Sequence, residues 1–545
     1  MTYDTDVCIV GSGPAGAILA ASLVDRGHDV VVLEAGPRFD TAQRQERMER
    51  ELRPAFSRSD VWDGGGARDA FTVSGEVDYA LNDRRVKGVG GTSLHWQGSS
   101  PRLHPEDFEM QSRYGVAMDW PISYADLEPY YLQAEREMGV SGEEYSFGGM
   151  RSGPYPLPAH APSHTDTLFA DALDEVGIEL HACPTAINSE PYDGRTECLG
   201  YGTCNPVCPS GAKYSADVHI QKAESDGASV IDRAPVQRLE HDDAGEEVTA
   251  AVYANDGETH RLTARQFVIA AGGVESARLL LLSRSDEYPD GLANSSGLVG
   301  RYFAEHPAIR VAGTIDQPTR QNLLGFETGI SEQYYGYDSG PEGTMLFQVA
   351  NDHGPSPVEA ALEPDVNLTQ LLGGTLTGGN STDQWGTSGL DHIQEQYGGN
   401  ELGIAVQVEP LPDPNNRVSL NHDTVDDHGN PVPDISLSVG DHARATLERA
   451  ESVLYDVFDA MGATDVRTIG EPEDPFFTNH HMGTTRMGDD PESSVVDATL
   501  QTHDLENLSV SSSSVFVTYG GAHPTLTIVA LTLRLADHLD ELLAD

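Results

Sequence analysis

The sequence is short of cysteine, of basic residues and of long apolar runs, and each shortage excludes something. Five cysteines in 545 residues cannot staple a chain of this size, which is long enough to bury a core, and two domains are expected. Lys and Arg number 33 against 87 Asp and Glu, a formal net charge of −54. A field of that sign repels nucleic acid and anionic membrane surfaces, so neither is an expected partner. The acids are scattered, as in DDAGEE and GDDPESS. That reads as a solvated acidic surface suited to high salt, a halophilic trait. No run approaches the roughly 18 apolar residues that span a bilayer. The opening MTYDTDVCIV lacks a basic region ahead of an apolar stretch and does not read as a signal peptide. The expected location is cytoplasmic and reducing; export or membrane association through a signal-bearing partner stays open.

What is present begins with DVCIVGSGPAGAILAASLVDRGHDVVVLEAG, a strand, a glycine turn, an apolar helix and a second strand. Gly11 allows the tight turn and Gly13 lets a pyrophosphate approach backbone N–H groups at the helix start. Gly16 lets helix and strand pack closely, and Glu34 is placed for the ribose hydroxyls of an adenosine. Cys8 lies inside the first strand as a small buried hydrophobe. The unit predicts a dinucleotide but does not separate FAD from NAD.

Further stretches do. RRVKGVGGTSLHWQGSSPRLHPEDF (84–108), DWPISYADLEPYYLQAEREMGVSG (119–142), FVIAAGGVESARLLLLS (267–283), GRYFAEHP (300–307) and NHHMGTTRMG…GGAHPTLTIVALTLRLADHL (479–539) resemble, in order, segments of the glucose–methanol–choline (GMC) flavoprotein oxidoreductases. The resemblance implies an α/β fold. A Rossmann-like FAD-binding domain would comprise about 1–45, 80–110, 190–310 and 470–545. A substrate domain on an antiparallel sheet would comprise 46–79, 111–189 and 311–469. It also implies cofactor contacts at Gly90, Gly91, Thr92, His95, Val236, Gly272, Gly273, Ser512, Pro524 and Thr525. Ser512 stands where the family often has Asp, which removes an acidic contact there.

His480, in H-x-x-G-T, and His523, in GGAHPTLT, resemble the two family positions that face the flavin's reactive ring. Oxidising an alcohol needs a base for the hydroxyl proton while hydride leaves carbon, and imidazole, with a pKa of about 6.5, suits that task. The expectation is His480 as base and His523 as orienting partner, with the roles exchangeable; His481 is expected to point elsewhere. Pro524 suits the first position of a helix whose positive end would lie beside His523 and favour charge on reduced flavin. His95, in GGTSLHW, coincides with a position that bonds covalently to the flavin in some relatives and only packs against it in others.

CLGYGTCNPVCPSGAK (198–213) holds Cys198, Cys204 and Cys208. Thiolates in a turn-rich loop are the ligands of iron–sulfur clusters. Buried thiols, a disulfide, zinc completed by histidine, or a fourth ligand from Cys183 are alternatives. The spacing and the P-x-G-A-K tail resemble the catalytic subunits of bacterial FAD-dependent glucose, fructose and gluconate dehydrogenases. In those the loop carries a [3Fe–4S] cluster near the flavin.

The implied activity is oxidation of a sugar, polyol or other alcohol, with electrons leaving through the cluster to a protein or quinone. The rivals are an O₂-reducing oxidase, a non-redox lyase on the same fold, and a scaffold with an idle flavin site. Residues 408–439 read as strands in the sheet walling the substrate pocket, 442–463 as a helix, and the Gly/Thr/Ser-rich 371–400 as a loop over pocket or cluster or a plain surface insertion.

Overall fold

The computed structural model describes residues 3–51, 61–319, 324–337, 343–351 and 399–544. Two sheets position the site. The first contains β1 (Thr5–Val10), β2 (Val30–Leu33), β3 (Ser229–Ile231), β4 (Ala264–Ile269) and a fifth strand, Leu508–Val510. Their order across the sheet is Leu508–Val510, β4, β1, β2, β3, and every pairing is parallel. Continuous apolar runs such as VVVL suit parallel strands covered on both faces, and Val7, Cys8, Ile9 and Val32 are fully buried. Burial pushes the Cys8 thiol up to about 12, the behaviour of an inert core residue. The chain leaves this sheet after Leu33 and again after Ile269, so one nucleotide-type sheet is assembled from distant segments. Helix α1 (Pro14–Asp25) begins with Pro at its first turn and extended Gly13 as its cap, with no side chain capping its N–H groups. Helix α2 (Gly272–Leu282) follows β4.

The second sheet is antiparallel. It runs β9 (Thr464–Ile469), β5 (Pro307–Thr314), β8 (Glu401–Val408), β7 (Met345–Val349), β6 (Gly329–Ser331) and His181–Ala182, with Phe476–Phe477 beside β5. Period-two alternation gives it two different faces. Ile309, Val311, Ile404, Val406, Phe347 and Val349 pack in one core with Leu447, Leu454 and Phe458 of helix α3 (Asp441–Ala460). Each such side chain contributes about 1.5–3 kcal/mol on burial, and truncating Phe458 to Ala would cost about 3–5 kcal/mol. The opposite face lines the cavity described below.

Two expectations change. The strands within 408–439 do not wall the pocket: Arg417–Val425 and Pro431–Ser436 form a separate three-stranded sheet with Thr72–Val73. After β8 the chain meets Pro410, Pro412 and Pro414, which supply no N–H to a ladder, and leaves the sheet. Only the turn around Asp426–Asn430 reaches the cavity. The loop expected at 371–400 lies, as far as residue 398, outside the described residues. Among the described residues no helix is long and apolar enough to cross a membrane.

Candidate active site

The first βα turn opens on a cavity of about 1200 Å³. Its glycines have separate steric reasons. Gly11 has φ +103°, and a Cβ there would stand 2.6 Å from the Ala270 carbonyl oxygen; one on Gly16 would stand 2.0 Å from that of Gly11. A Cβ on Gly13 would meet nothing within 4 Å, and Gly13 lines the cavity. An uncapped helix start beside that open space fits a dinucleotide's pyrophosphate. Glu34, at the cavity end of β2, accepts from Ser12 N at 3.0 Å, Ser12 Oγ at 2.6 Å and Gly36 N at 2.8 Å. Burial pushes its carboxyl up, and the Ser12 hydroxyl is the largest counter-effect.

The turn at 90–95 packs on this cradle. Gly90 donates its N–H to Ser12 O at 3.2 Å, and a Cβ on Gly91 would stand 2.8 Å from Gly13 Cα. Thr92 and buried His95 line the cavity. So do Val236, Gly272, Gly273 and Ser512, whose hydroxyl accepts from Ser514 N at 3.1 Å. A Cβ on Gly273 would stand 2.4 Å from His481 O, so α2 begins hard against the segment carrying the histidines. Of the cofactor residues expected from sequence, Gly16 and Gly90 stand behind the lining and the others on it.

His480 and His523 face the same cavity, with ring centroids 4.9 Å apart and planes at 74°. His523 and Pro524 immediately precede helix α4 (Thr525–Ala544). Pro524 O accepts from Ile528 N at 2.9 Å, and the helix start is held by Thr527 Oγ1, 2.8 Å from the Tyr131 hydroxyl. His523 Nδ1 is buried with no partner among the described residues. His481 differs from its neighbour: its Nε2 is engaged by the Tyr79 hydroxyl at 2.8 Å.

Behind His480 stands His306, which sequence reasoning did not single out although it lies in the quoted GRYFAEHP stretch. Its Nε2 is 3.0 Å from Gly520 O and 3.3 Å from Tyr519 O. Carbonyl oxygens only accept, so the proton sits on Nε2. Burial holds His306 neutral, its pKa pushed down to about 4, and Nδ1 is therefore a bare acceptor. His480 Nδ1, 2.8 Å away, must donate to it, with Thr478 Oγ1 at 2.8 Å sharing that proton. The lone pair of His480 is thus left on Nε2. Burial holds His480 well below the usual histidine range and pushes His523 down to about 3. Glu305 accepts from the backbone N–H of His480 and from the Tyr79 hydroxyl; burial pushes its carboxyl up to about 7.

Cys198, Cys204 and Cys208 share one apolar cluster with Ile187, Ala212 and Phe326, and none is in a disulfide. Cys183 lies in a different cluster with Ile330 and Leu346 and does not join them. Lys213 N donates to Cys208 Sγ at 3.5 Å, and Ser210 Oγ is 3.6 Å from it. Burial alone would raise the Cys208 thiol; these contacts and the Lys213 charge outweigh it and lower the pKa. The buried Lys213 ammonium donates to Leu94 O, Trp96 O and Cys204 O at 3.2, 2.5 and 2.7 Å. The cysteine loop is thereby tied to the segment that carries His95. Among the described residues no set of three or more His, Cys, Asp or Glu side chains converges as one metal ion requires.

A parallel sheet whose glycine turn opens on a cavity shared with paired neutral histidines defines a dinucleotide-using oxidoreductase. Comparison with known proteins narrows this. Models described as GMC oxidoreductase match residues 80–308 and 412–532, and one described as FAD binding domain matches 4–49. The chain is 34% identical to the fructose dehydrogenase large subunit of Gluconobacter japonicus over 98% of each protein. It is 31% identical to the 2-methyl-1,2-propanediol dehydrogenase of Mycolicibacterium austroafricanum, covering 99% of this chain and 96% of that one. A solved formate oxidase of Aspergillus oryzae RIB40 shares the fold, with a TM-score of 0.67 over 99% of both chains at 15% identity. The chain belongs to the GMC oxidoreductases, and its cofactor is FAD.

Proposed function

We propose that this protein is an FAD-dependent dehydrogenase that oxidises a CH–OH group of a sugar or polyol and passes the electrons to a separate protein or quinone acceptor. The observation that carries this reading is the fixed tautomer of His480 on the cavity into which the glycine cradle opens. When bound, FAD supplies the acceptor for the hydride that leaves the carbinol carbon. His480 Nε2 takes the hydroxyl proton as the C–O bond becomes a carbonyl. His523 holds the substrate oxygen, and the α4 N-terminus beside it favours negative charge developing there. His95 meets the flavin by contact or by a covalent bond. Flavin colour that stays with acid-precipitated protein would mean the bond.

The cysteine trio is assigned to a [3Fe–4S] cluster. Three thiols of one loop, an N–H aimed at a sulfur and a buried ammonium are its support. When loaded, it supplies one-electron transfer out of the site, and a reducing compartment suits its thiols. The division of the chain into an FAD part (1–45, 80–110, 190–310, 470–545) and a substrate part belongs to the same proposal.

The test is anaerobic addition of sugars and polyols to the purified protein, with iron and acid-labile sulfide analysis. Flavin bleaching and iron near three atoms per flavin support the reading. No bleaching by any alcohol overturns the oxidation. Turnover in air that yields peroxide as fast as artificial acceptors are reduced would make it an oxidase. Zinc or no metal removes the cluster.

A further inference from the structure

Three adjacent inner strands, β5, β8 and β7, carry an unusual interruption. Their sequences AIRV, AVQV and LFQV place Arg310, Gln407 and Gln348 among β-branched and aromatic residues. On the face toward α3 those strands are uniformly apolar. On the other face, register puts Arg310 opposite Ala405 and Ala405 opposite Gln348, while Ala308 stands opposite Gln407. Polar side chains therefore alternate with alanines, and all of these residues line the cavity. The alanines leave volume in front of the sheet, and the polar groups reach into it.

Solvent does not account for the polar residues, because Gln348 is 8% and Gln407 1% exposed. Gln407 Nε2 donates to Gly521 O at 2.6 Å, which fixes the amide's orientation and leaves Oε1 facing the other way. That Oε1, and Nε2 of Gln348, are buried without partners among the described residues. One is an acceptor, the other a donor, and a hydroxyl group satisfies either. Leaving a buried polar group unmatched is unfavourable, so an apolar ligand would be rejected here. Glu327 also lines this cavity, and its charge is opposite to that of Arg310. The wall is therefore balanced in sign, and it favours neither an acid nor an amine.

We propose that the cavity face of β5, β8 and β7 is a polyol-recognition floor, in which Gln348, Gln407 and Arg310 bind hydroxyls of a neutral polyhydroxylated substrate while another of its hydroxyls is presented to His480. This rests on the oxidation of CH–OH proposed above.

The test measures anaerobic flavin reduction by a hexose or hexitol, by its deoxy analogues, and by a linear alkanol of equal chain length. The proteins are the wild type, Gln348→Met and Gln407→Met. The wild type should prefer the polyol over the alkanol by at least about 100-fold in kred/Kd. Gln348→Met should lose about 10- to 100-fold on the polyol, chiefly as a higher Kd, and at least ten times less on the alkanol. One deoxy analogue should lose as much on the wild type and no more on the variant. Flavin content reports folding, and Gln348→Met is the cleaner variant because Gln407 also holds Gly521. An alkanol that reduces the wild type as well as the polyol, or an unchanged polyol Kd in Gln348→Met, overturns this inference and leaves the dehydrogenase reading standing. Flavin that no alcohol of either kind bleaches defeats the dehydrogenase reading instead.

Discussion

If His306 sets the tautomer of His480, replacing His306 by Leu should slow substrate oxidation without removing the base. Leu leaves His480 Nδ1–H without the acceptor now 2.8 Å away. A buried donor deprived of its acceptor costs about 1–3 kcal/mol, and 1.36 kcal/mol is tenfold in rate. The expected loss is thus about 5- to 150-fold. Thr478 Oγ1, also 2.8 Å from that nitrogen, decides where in the range it falls. As an acceptor it keeps the proton on Nδ1 and the loss is small. As a donor it pulls the ring to the other tautomer, puts a proton on Nε2 and makes the loss large. His306→Asn, whose amide can both donate and accept, should recover part of the rate.

The assay is stopped-flow flavin reduction without oxygen, read across pH. His480 is protonated as pH falls through its lowered pKa, so the rate is lost on the acid side. His306 is the neutral acceptor for His480 Nδ1–H, and losing it disfavours the imidazolium, so the acid limb in His306→Leu should move to lower pH. A packing defect alone would not move it. ¹⁵N shifts of the His480 ring give the tautomer directly. A folded, FAD-loaded His306→Leu enzyme with unchanged rate and unchanged acid limb would refute the argument.

Three other outcomes follow from separate features. Gly13→Val fills the side where a Cβ meets nothing within 4 Å, and Gly13 φ is −68°, so the fold should persist while the flavin-to-protein ratio drops severalfold; full FAD occupancy would mean the pyrophosphate lies elsewhere. Burial pushes Glu409 up to about 8 from an ordinary 4.5, so its stabilising share is present below 4.5 and lost as pH rises through 8. Glu409→Gln should therefore flatten the fall in Tm between pH 6 and 9, and a parallel fall in both proteins contradicts that reading. A net charge of −54 predicts a Tm that climbs by several degrees as KCl rises from 0.1 to 1 M and the screening length shrinks from about 10 to 3 Å; a flat response would remove the high-salt reading.

The nucleotide turn was legible because each of its glycines answers a local constraint and parallel strands announce themselves as unbroken apolar runs. The grouping of the three cysteines was legible too, since it is written in one loop. Lys213, which ties that loop to Leu94 and Trp96, was visible only as the end of a motif. His306 was not legible as a partner of His480, because their contact spans 174 residues and only the folded chain brings them together. The pocket wall was misplaced for a different reason. The prolines after Val408 looked like turns within one sheet, whereas they mark the chain's exit from it. Gln348 and Gln407 were not singled out, since a polar residue in an apolar strand declares nothing until the cavity in front of it is known.

These separate features converge on Tyr519–His523. His306 Nε2 donates to the carbonyls of Tyr519 and Gly520, Gln407 Nε2 to that of Gly521, and Gly521 N donates to the Tyr335 hydroxyl at 3.1 Å. Gly520 has φ +53°, and a Cβ there would stand 2.5 Å from that hydroxyl, so the clamped segment admits only glycine at that position. The group that fixes the His480 tautomer, an amide on the proposed recognition floor and the backbone leading to His523 therefore share one short piece of chain. Gln407 Oε1 belongs to the same amide whose Nε2 holds Gly521, one residue from the carbonyl that keeps the proton on His306 Nε2. The arrangement gives a physical reason for the glycine pair of GGAH. Only a residue without Cβ lets a recognition strand, a tyrosine and a tautomer-setting histidine grip the same three peptide groups at once.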